Sequence, residues 1–249
     1  MGLETRQVVA AGCRIHTRVF TADSRRLPVV LLHGLVVSGR YMEPLARQLG
    51  WHRTAYVPDL PGFGRSASPQ QTLAVGELAW VVSVWMDAVG VARGHVLANS
   101  FGCPILAELA CLQPTRIATA VMVGPTGDPA IRSRLRLAGL AIRSGLHEPM
   151  SETAIVLADY VRAGLRRSLA TSRLAVEHRM EPAVTRMPAP LLVARGEHDP
   201  IASQPWCRRL SELAQRGRFA TLREQWHAAH YSAPGLVAAL VEPFMTDCE

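Results

Sequence analysis

Three side chains, far apart in the 249-residue chain, have the types needed for nucleophilic attack on a carbonyl group. The first is Ser100, within Ala98-Asn99-Ser100-Phe101-Gly102, between a strand-like run and a helical pattern. A serine at such a tight turn projects its hydroxyl above the sheet, and its neighbours must be small because the turn packs closely. We therefore predict that Ser100 is a nucleophile.

An acidic partner is expected at the end of a later strand. The segment Gly196-Glu197-His198-Asp199-Pro200 directly follows the apolar run 190–194, so Asp199 would face the same rim of the sheet as Ser100. Asp199 is preferred because it would hold a histidine in one tautomer and stabilise its cation. Two alternatives stay open, which are the neighbouring Glu197 and Asp128, the latter after the preceding core strand.

The general base is expected to be a histidine near the end of the sequence. The segment His227-Ala-Ala-His230 contains two candidates. His227 is preferred because it lies soon after the short strand-like run 219–222, and it would deprotonate Ser100. His230 is the alternative base, or otherwise a residue of the pocket wall.

Backbone groups around a second turn would stabilise the developing negative charge. Because His33-Gly34-Leu35 follows the apolar run 28–32, the N–H groups of Leu35 and Phe101 are predicted to form an oxyanion hole. The substrate is expected to contact a further set of residues, which are Gly34, Val36, Asn99 and His230. The predicted chemistry requires neither a metal nor another cofactor.

The elements that must position these residues alternate between strands and helices. Continuous apolar runs predict buried strands at 28–33, 54–57, 95–98, 119–123 and 190–194. Helical patterns between and after them cover 41–49, 73–89, 101–112, 205–215 and 236–244, and residues 8–9 and 15–20 could form a hairpin at the sheet edge. This alternation predicts an α/β fold, with a mainly parallel sheet of the eight-stranded type covered by helices on both faces.

Residues 129–189 interrupt that alternation. They contain three helical stretches, at 132–142, 152–165 and 166–179, and no good strand. We interpret them as a helical cap, inserted into a core formed by residues 1–128 and 190–249, that encloses the pocket. Ten arginines against five acidic residues give this cap a net charge of +5, and the pair Arg166-Arg167 is a candidate for attracting an anionic substrate.

Composition excludes several other classes of function. The net charge is +7, but every one of the 27 basic residues is arginine and they are dispersed, so nucleic-acid binding is not expected. No apolar run is long enough to insert across a membrane. The five scattered cysteines and the absence of a signal-peptide pattern lead us to expect a cytoplasmic protein with reduced thiols and a small-molecule substrate.

Taken together, the motifs resemble those of the α/β-hydrolase superfamily over almost the entire chain. The order Ser100, Asp199, His227 is the order of that family, and residues 59–66 resemble its D-x-P-G-x-G-x-S loop, for which we expect a structural role. The resemblance implies a serine hydrolase that forms an acyl-enzyme. The elbow around Ser100 also resembles that of small esterases and of carbon–carbon bond hydrolases acting on aromatic ring-fission products.

The substrate expected from the residues is a small hydrophobic ester, thioester or lactone. Those carbon–carbon bond hydrolases usually have glycine where Ala98 stands and a glycine-rich loop where this chain has Leu35-Val36-Val37-Ser38. The apolar side chains of that segment favour a hydrophobic pocket. Carbon–carbon bond hydrolysis and a non-hydrolytic biosynthetic step, such as a lyase or cyclase reaction on the same fold, remain alternatives.

Overall fold

A single sheet of eight strands runs through the computed structural model, which describes residues 2–249. The strands are β1 (Gly2–Ala10), β2 (Cys13–Thr21), β3 (Val29–Leu32), β4 (Ala55–Pro58), β5 (Gly94–Asn99), β6 (Ile117–Val123), β7 (Leu191–Gly196) and β8 (Gly217–Leu222). Their spatial order is β1-β2-β4-β3-β5-β6-β7-β8. Strands β1 and β2 pair antiparallel with each other, β2 pairs antiparallel with β4, and the remaining pairs are parallel. The predicted α/β fold with a mainly parallel sheet is confirmed.

Helices cover both faces of this sheet. They are α1 (Glu43–Leu49), preceded by a 3-10 turn at Gly39–Met42, α2 (Val75–Ala88), α3 (Gly102–Leu112), α4 (Arg134–Gly145), α5 (Met150–Glu177), α6 (Glu181–Arg186), α7 (Gln204–Leu213), α8 (Ala229–Ser232) and α9 (Pro234–Thr246). Within residues 2–249, no helix combines the length and the apolar character that crossing a membrane requires.

The continuous apolar strands are explained by the two layers of helices. Along β3, Val30 and Leu32 pack in the hydrophobic cluster that includes α2, α3 and α7. Their neighbours Val29 and Leu31 point to the opposite face, into the cluster that includes α1 and α9. Because successive side chains of a strand alternate between faces, a strand covered on both sides must be apolar at every position.

The segment between β6 and β7 contains α4, α5 and α6 and no strand within the described residues. The element α5 consists of two helices joined across a kink at Gly164, whose backbone is non-helical with φ of 76°, so the predicted pair of helices at 152–165 and 166–179 is confirmed. Glycine adopts a positive φ without the steric cost that a Cβ imposes, which explains why the kink is at this residue. The predicted boundary between the two helices lies within two residues of Gly164.

Candidate active site

Ser100 lies in the turn that joins β5 to α3, with a left-handed backbone φ of 53°. Its N–H donates to the Val123 carbonyl at 3.0 Å, which anchors the turn to the neighbouring strand β6. A Cβ at Gly102 would lie 2.8 Å from the Leu32 carbonyl oxygen, so only glycine permits this approach of α3 to β3. A non-glycine residue held at positive φ is a strained conformation, typical of functional turns.

A continuous line of hydrogen bonds joins three side chains from separate loops. His227 Nε2 is 2.9 Å from Ser100 Oγ, and His227 Nδ1 is 2.9 Å from Asp199 Oδ2. All three residues are more than nine-tenths buried. With Nδ1 protonated towards the carboxylate, Nε2 is free to accept the serine proton, which is the arrangement required for general-base activation of a hydroxyl.

The second oxygen of Asp199 is also held in place. Asp199 Oδ1 accepts the backbone N–H groups of Ile201 at 2.8 Å and Ala202 at 3.0 Å. The buried Arg195 donates to the backbone carbonyl oxygens of Asp199 and Ala202, so it stabilises the same loop. The carboxylate is therefore fixed in orientation before any substrate binds.

The structure places the alternative acids and the alternative base elsewhere. Asp128 caps its own turn by accepting the Ala130 N–H at 2.9 Å. Glu197 is exposed and accepts the Glu224 N–H. His230 is fully buried, and burial lowers its pKa to about 3, so it is a neutral packing residue at neutral pH.

Two opposing influences set the protonation of His227. Burial alone lowers the pKa of the imidazole, because the charged form is desolvated. The Asp199 carboxylate, assisted by Glu148, outweighs burial, so the pKa of His227 lies above its ordinary value. The neutral imidazole that can accept a proton is consequently lost as the pH falls through that raised pKa.

The turn at Gly34 lies beside Ser100 and is held by a side-chain hydrogen bond. His33 Nδ1 hydrogen-bonds the Gly34 carbonyl oxygen at 3.1 Å. Because a trans peptide directs its C=O and N–H to opposite sides, this bond turns the Leu35 N–H away from the His33 ring. A Cβ at Gly34 would be 3.1 Å from Ser100 Cβ, so the turn lies directly against the serine.

Neither the Leu35 N–H nor the Phe101 N–H donates to a protein acceptor within residues 2–249. Two unpaired donors flanking a nucleophile can hydrogen-bond an oxyanion that forms there. The Phe101 side chain itself is buried in the core rather than exposed to ligand.

The loop at residues 59–66 stabilises the His33-Gly34 turn through a hydrogen bond. The Leu60 N–H donates to His33 Nε2 at 2.9 Å, which leaves Nδ1 as the protonated nitrogen that reaches Gly34. Asp59 accepts from Arg18 and from the N–H groups of Gly39 and Arg65, so its carboxylate organises the loop. His33 thus positions the Gly34 turn through both ring nitrogens, a role that the His33-Gly34 motif by itself does not reveal.

A cavity of about 540 Å³ opens above Ser100, between the loops at the carboxyl ends of the strands and helices α4 and α5. Its wall is mainly apolar and includes Leu35, Val37, Leu137, Ile142, Val156 and Leu157. Of the residues predicted to contact substrate, Gly34 and Asn99 line this cavity. Val36 and His230 do not, because both are fully buried behind it.

The pair Arg166-Arg167 does not reach the cavity. Arg167 is turned towards the core, where it donates to the Pro69 carbonyl oxygen at 2.6 Å. Arg166 is exposed to solvent. An anion inside the cavity would therefore meet neither guanidinium group.

Two residues that the sequence did not single out connect the inserted segment to the loop of His227. Ser144 Oγ accepts the His227 N–H at 3.2 Å, and Glu148 Oε1 accepts the Ala228 N–H at 2.7 Å. Their positions along the chain carry no signal of this contact, since about eighty residues separate each pair. The α4–α5 segment is thus in direct contact with the backbone beside the base.

A second carboxyl group of this segment, Glu152, also lines the cavity. Burial raises its pKa to about 8, and the neighbouring Glu148 adds to the effect. At neutral pH the side chain therefore carries a proton and can donate a hydrogen bond, which was not foreseen from the sequence.

Comparison with known proteins supports the architecture. A family model described as the alpha/beta hydrolase fold matches residues 28–142. The enol-lactonase from Burkholderia xenovorans LB400 superimposes with a TM-score of 0.80 at 19% identity, covering 97% of this chain and all of that one. These matches confirm the resemblance of the chain to the α/β hydrolases.

Two curated relatives that match most of this chain are hydrolases. The pimeloyl-[acyl-carrier protein] methyl ester esterase of Aeromonas salmonicida is 28% identical over 81% of this chain and 84% of its own length. The 2-hydroxymuconate semialdehyde hydrolase of Pseudomonas sp. strain CF600 is 23% identical over 98% of this chain and 94% of its own. Esterases and carbon–carbon bond hydrolases are therefore both represented among the similar proteins.

Proposed function

We propose that this chain, whose fold is that of the α/β hydrolases, is a serine hydrolase that cleaves a small hydrophobic carboxylic ester, thioester or lactone through an acyl-enzyme. The observation that carries the proposal is the hydrogen-bonded line Ser100–His227–Asp199 at the floor of an apolar cavity. Hydrolase relatives support the general reaction class.

In the proposed reaction, His227 Nε2 takes the proton of Ser100 Oγ as that oxygen bonds to the carbonyl carbon of the substrate. The carbonyl oxygen becomes an oxyanion that accepts from the N–H groups of Leu35 and Phe101. When the bond to the leaving group breaks, His227 returns the proton to the departing alcohol or thiol. Water then adds to the acyl-enzyme with His227 again as base, and the carboxylic acid and free Ser100 are released.

The lining of the cavity argues for an uncharged acyl group. It includes two carboxyl groups, Glu148 and Glu152, and no arginine among the described residues. A carboxylate substrate would enter an apolar space without a cation to pair with, and burying an unpaired charge is costly. The name of the 2-hydroxymuconate semialdehyde hydrolase implies a carboxylate substrate, so this lining favours ester-type cleavage over carbon–carbon cleavage.

The experiment is a hydrolysis screen with matched substrates. We expect p-nitrophenyl esters of medium acyl length, thioesters or lactones to turn over, with an anionic ring-fission analogue as the comparison. Ser100→Ala should abolish turnover and also labelling by a fluorophosphonate probe. A folded wild-type protein that the probe does not label, or a Ser100→Ala variant with full turnover, would contradict the proposal.

A further inference from the structure

The outer surface of α4 and of the first half of α5 exposes an unusual concentration of large apolar side chains. Nine of the fifteen large hydrophobic side chains that are exposed among residues 2–249 lie between positions 135 and 169. Scattered exposed hydrophobic residues are normal on a protein surface, but a cluster of this kind marks an interaction site. We refer to six of these residues as the cap face. They are Leu135, Ile142, Leu146, Met150, Leu157 and Val161, each between 62% and 89% exposed.

The cap face consists of two parallel patterns. On α4 and its C-cap residue Leu146, the residues of the cap face follow the spacing i, i+7, i+11, and on α5 they follow the same spacing. At 100° per residue, that spacing keeps all three side chains of each helix within about 40° of one another. Because α4 packs against α5, the two stripes form one surface rather than separate spots.

In the segment that carries the cap face, basic side chains are exposed and acidic side chains face inward. Within residues 134–163, the exposed charged side chains are all arginines, namely Arg134, Arg136, Arg143 and Arg162. The acidic residues face inward, since Glu152 and Asp159 are buried and Glu148 accepts the Ala228 N–H. The cap face is therefore apolar, and the charge around it is positive.

The cap face is continuous with the cavity above Ser100. Ile142, Leu146 and Leu157 are exposed to the outside and line the cavity as well. An apolar molecule in contact with the cap face therefore reaches the cavity without leaving hydrophobic surroundings.

We propose that the cap face binds peripherally to an anionic lipid bilayer, with the apolar side chains in the interface and the arginines at the head groups. Helices with this distribution of large apolar and cationic side chains lie in the plane of such an interface. Anionic head groups attract arginines held close to the surface. The lipid layer would then present hydrophobic substrate directly to the mouth of the cavity.

Two other occupants fit the surface less well. Association with a second copy around a twofold axis would place the same patch on both sides, so the arginines of both copies would meet without an exposed acidic partner. An acidic protein would pair with the arginines but would leave large side chains such as Met150 and Val161 without an apolar partner. The bilayer satisfies both the charge and the hydrophobic surface.

The test is co-sedimentation with vesicles of phosphatidylcholine that contain phosphatidylglycerol, with vesicles of phosphatidylcholine alone as the comparison. The main variant is Met150→Ser combined with Val161→Ser, because these side chains are 89% and 84% exposed and neither lines the cavity. The matched control is Val9→Ser, on β1, which removes a side chain of 71% exposure outside the cap.

We expect the wild type to pellet with the anionic vesicles and less with the neutral ones. Because full burial of one such side chain is worth a factor of ten or more, the double variant should bind at least about tenfold more weakly. Val9→Ser should bind like the wild type. Ser100→Ala should also bind like the wild type, which separates this proposal from the one about catalysis.

The proposal is overturned if the wild type does not pellet with anionic vesicles, including the case in which it sediments as a dimer through the cap face instead. It is equally overturned if the double variant and Val9→Ser bind alike. Thermal unfolding of each variant establishes that the comparison is made between folded proteins.

Discussion

The Glu148 carboxylate accepts the backbone N–H of Ala228 at 2.7 Å, one residue beyond His227. The bond joins the α4–α5 connection to the loop that holds the proposed base. Ala228 is buried, so its N–H loses its protein acceptor in a poorly solvated environment if Glu148 is removed. Glu148 is therefore a positioning residue for His227.

We expect Glu148→Ala to lower kcat and Glu148→Gln to restore most of it. The alanine leaves a buried donor unpaired, which costs about 1–3 kcal/mol, whereas the amide oxygen of glutamine still accepts the N–H. Steady-state kinetics of both variants measure the difference. If Gln and Ala variants are equally impaired, the hydrogen bond is not what matters. Glu177→Ala, on the exposed end of α5, is the matched control.

The second prediction concerns the Asp199–His227 pair. Asp199→Asn removes the charge that outweighs burial, so the pKa of His227 should fall and the acidic limb of kcat/KM should move to lower pH. The rate should drop roughly ten-thousand-fold, as for the equivalent change in a serine protease, because the imidazole loses its correct tautomer. The pH–rate profile measures both effects.

Asp128→Asn is the control for that experiment, because Asp128 caps its own turn and was the competing candidate for the acid. A profile that shifts in Asp128→Asn but not in Asp199→Asn would reverse the assignment of the acid.

The third prediction concerns the space around the same pair. Gly124 has φ of 60°, and a Cβ there would lie 3.0 Å from both Asp199 Oδ2 and His227 Nδ1. Gly124→Ala should displace the pair and lower kcat on the order of a hundredfold, since small misplacements of reacting groups have effects of that size. Gly76→Ala, on α2 with open space around its Cβ, should leave kcat unchanged. Equal losses in both variants would contradict the steric argument.

The fourth prediction uses Glu152, which faces Glu148, Tyr41 and His227. Its pKa of about 8 in the folded protein lies above the ordinary value of 4.5, so the folded state binds the proton more tightly. The stabilisation that protonated Glu152 gives to the folded state is fully present below pH 4.5 and is lost as the pH rises to about 8. Glu152→Gln, which stays neutral, should therefore unfold at a higher temperature than the wild type at pH 9 and at a similar temperature at pH 5.

Thermal unfolding at the two pH values provides the measurement for Glu152. Glu212→Gln, at an exposed position of α7, controls for the loss of a surface carboxylate. A difference between Glu152→Gln and the wild type that does not depend on pH would mean that titration of Glu152 is not its cause.

Much of the core could be predicted from the sequence because its signals are local. Strands β3, β5, β6 and β7 are short apolar runs, and the predicted strand at 95–98 differs from β5 by one residue at either end. The helices between β6 and β7 are less sharply delimited by their sequence, and the predicted bounds 132–142 differ from those of α4 by two to three residues. These helices expose many apolar side chains, so the alternation that marks a helix packed against a core is weak, although the predicted break lies within two residues of Gly164.

The sequence by itself determined the central sheet and the elbow at Ser100, together with a short set of candidate acids and bases, because these depend on periodicity and order along the chain. Only the tertiary structure brought Asp199 rather than Asp128 to His227, and buried Val36 and His230 behind the cavity. It also brought Glu148 to the backbone beside His227. Such contacts join segments separated by many residues, so they depend on how whole helices and loops pack, which no local pattern encodes.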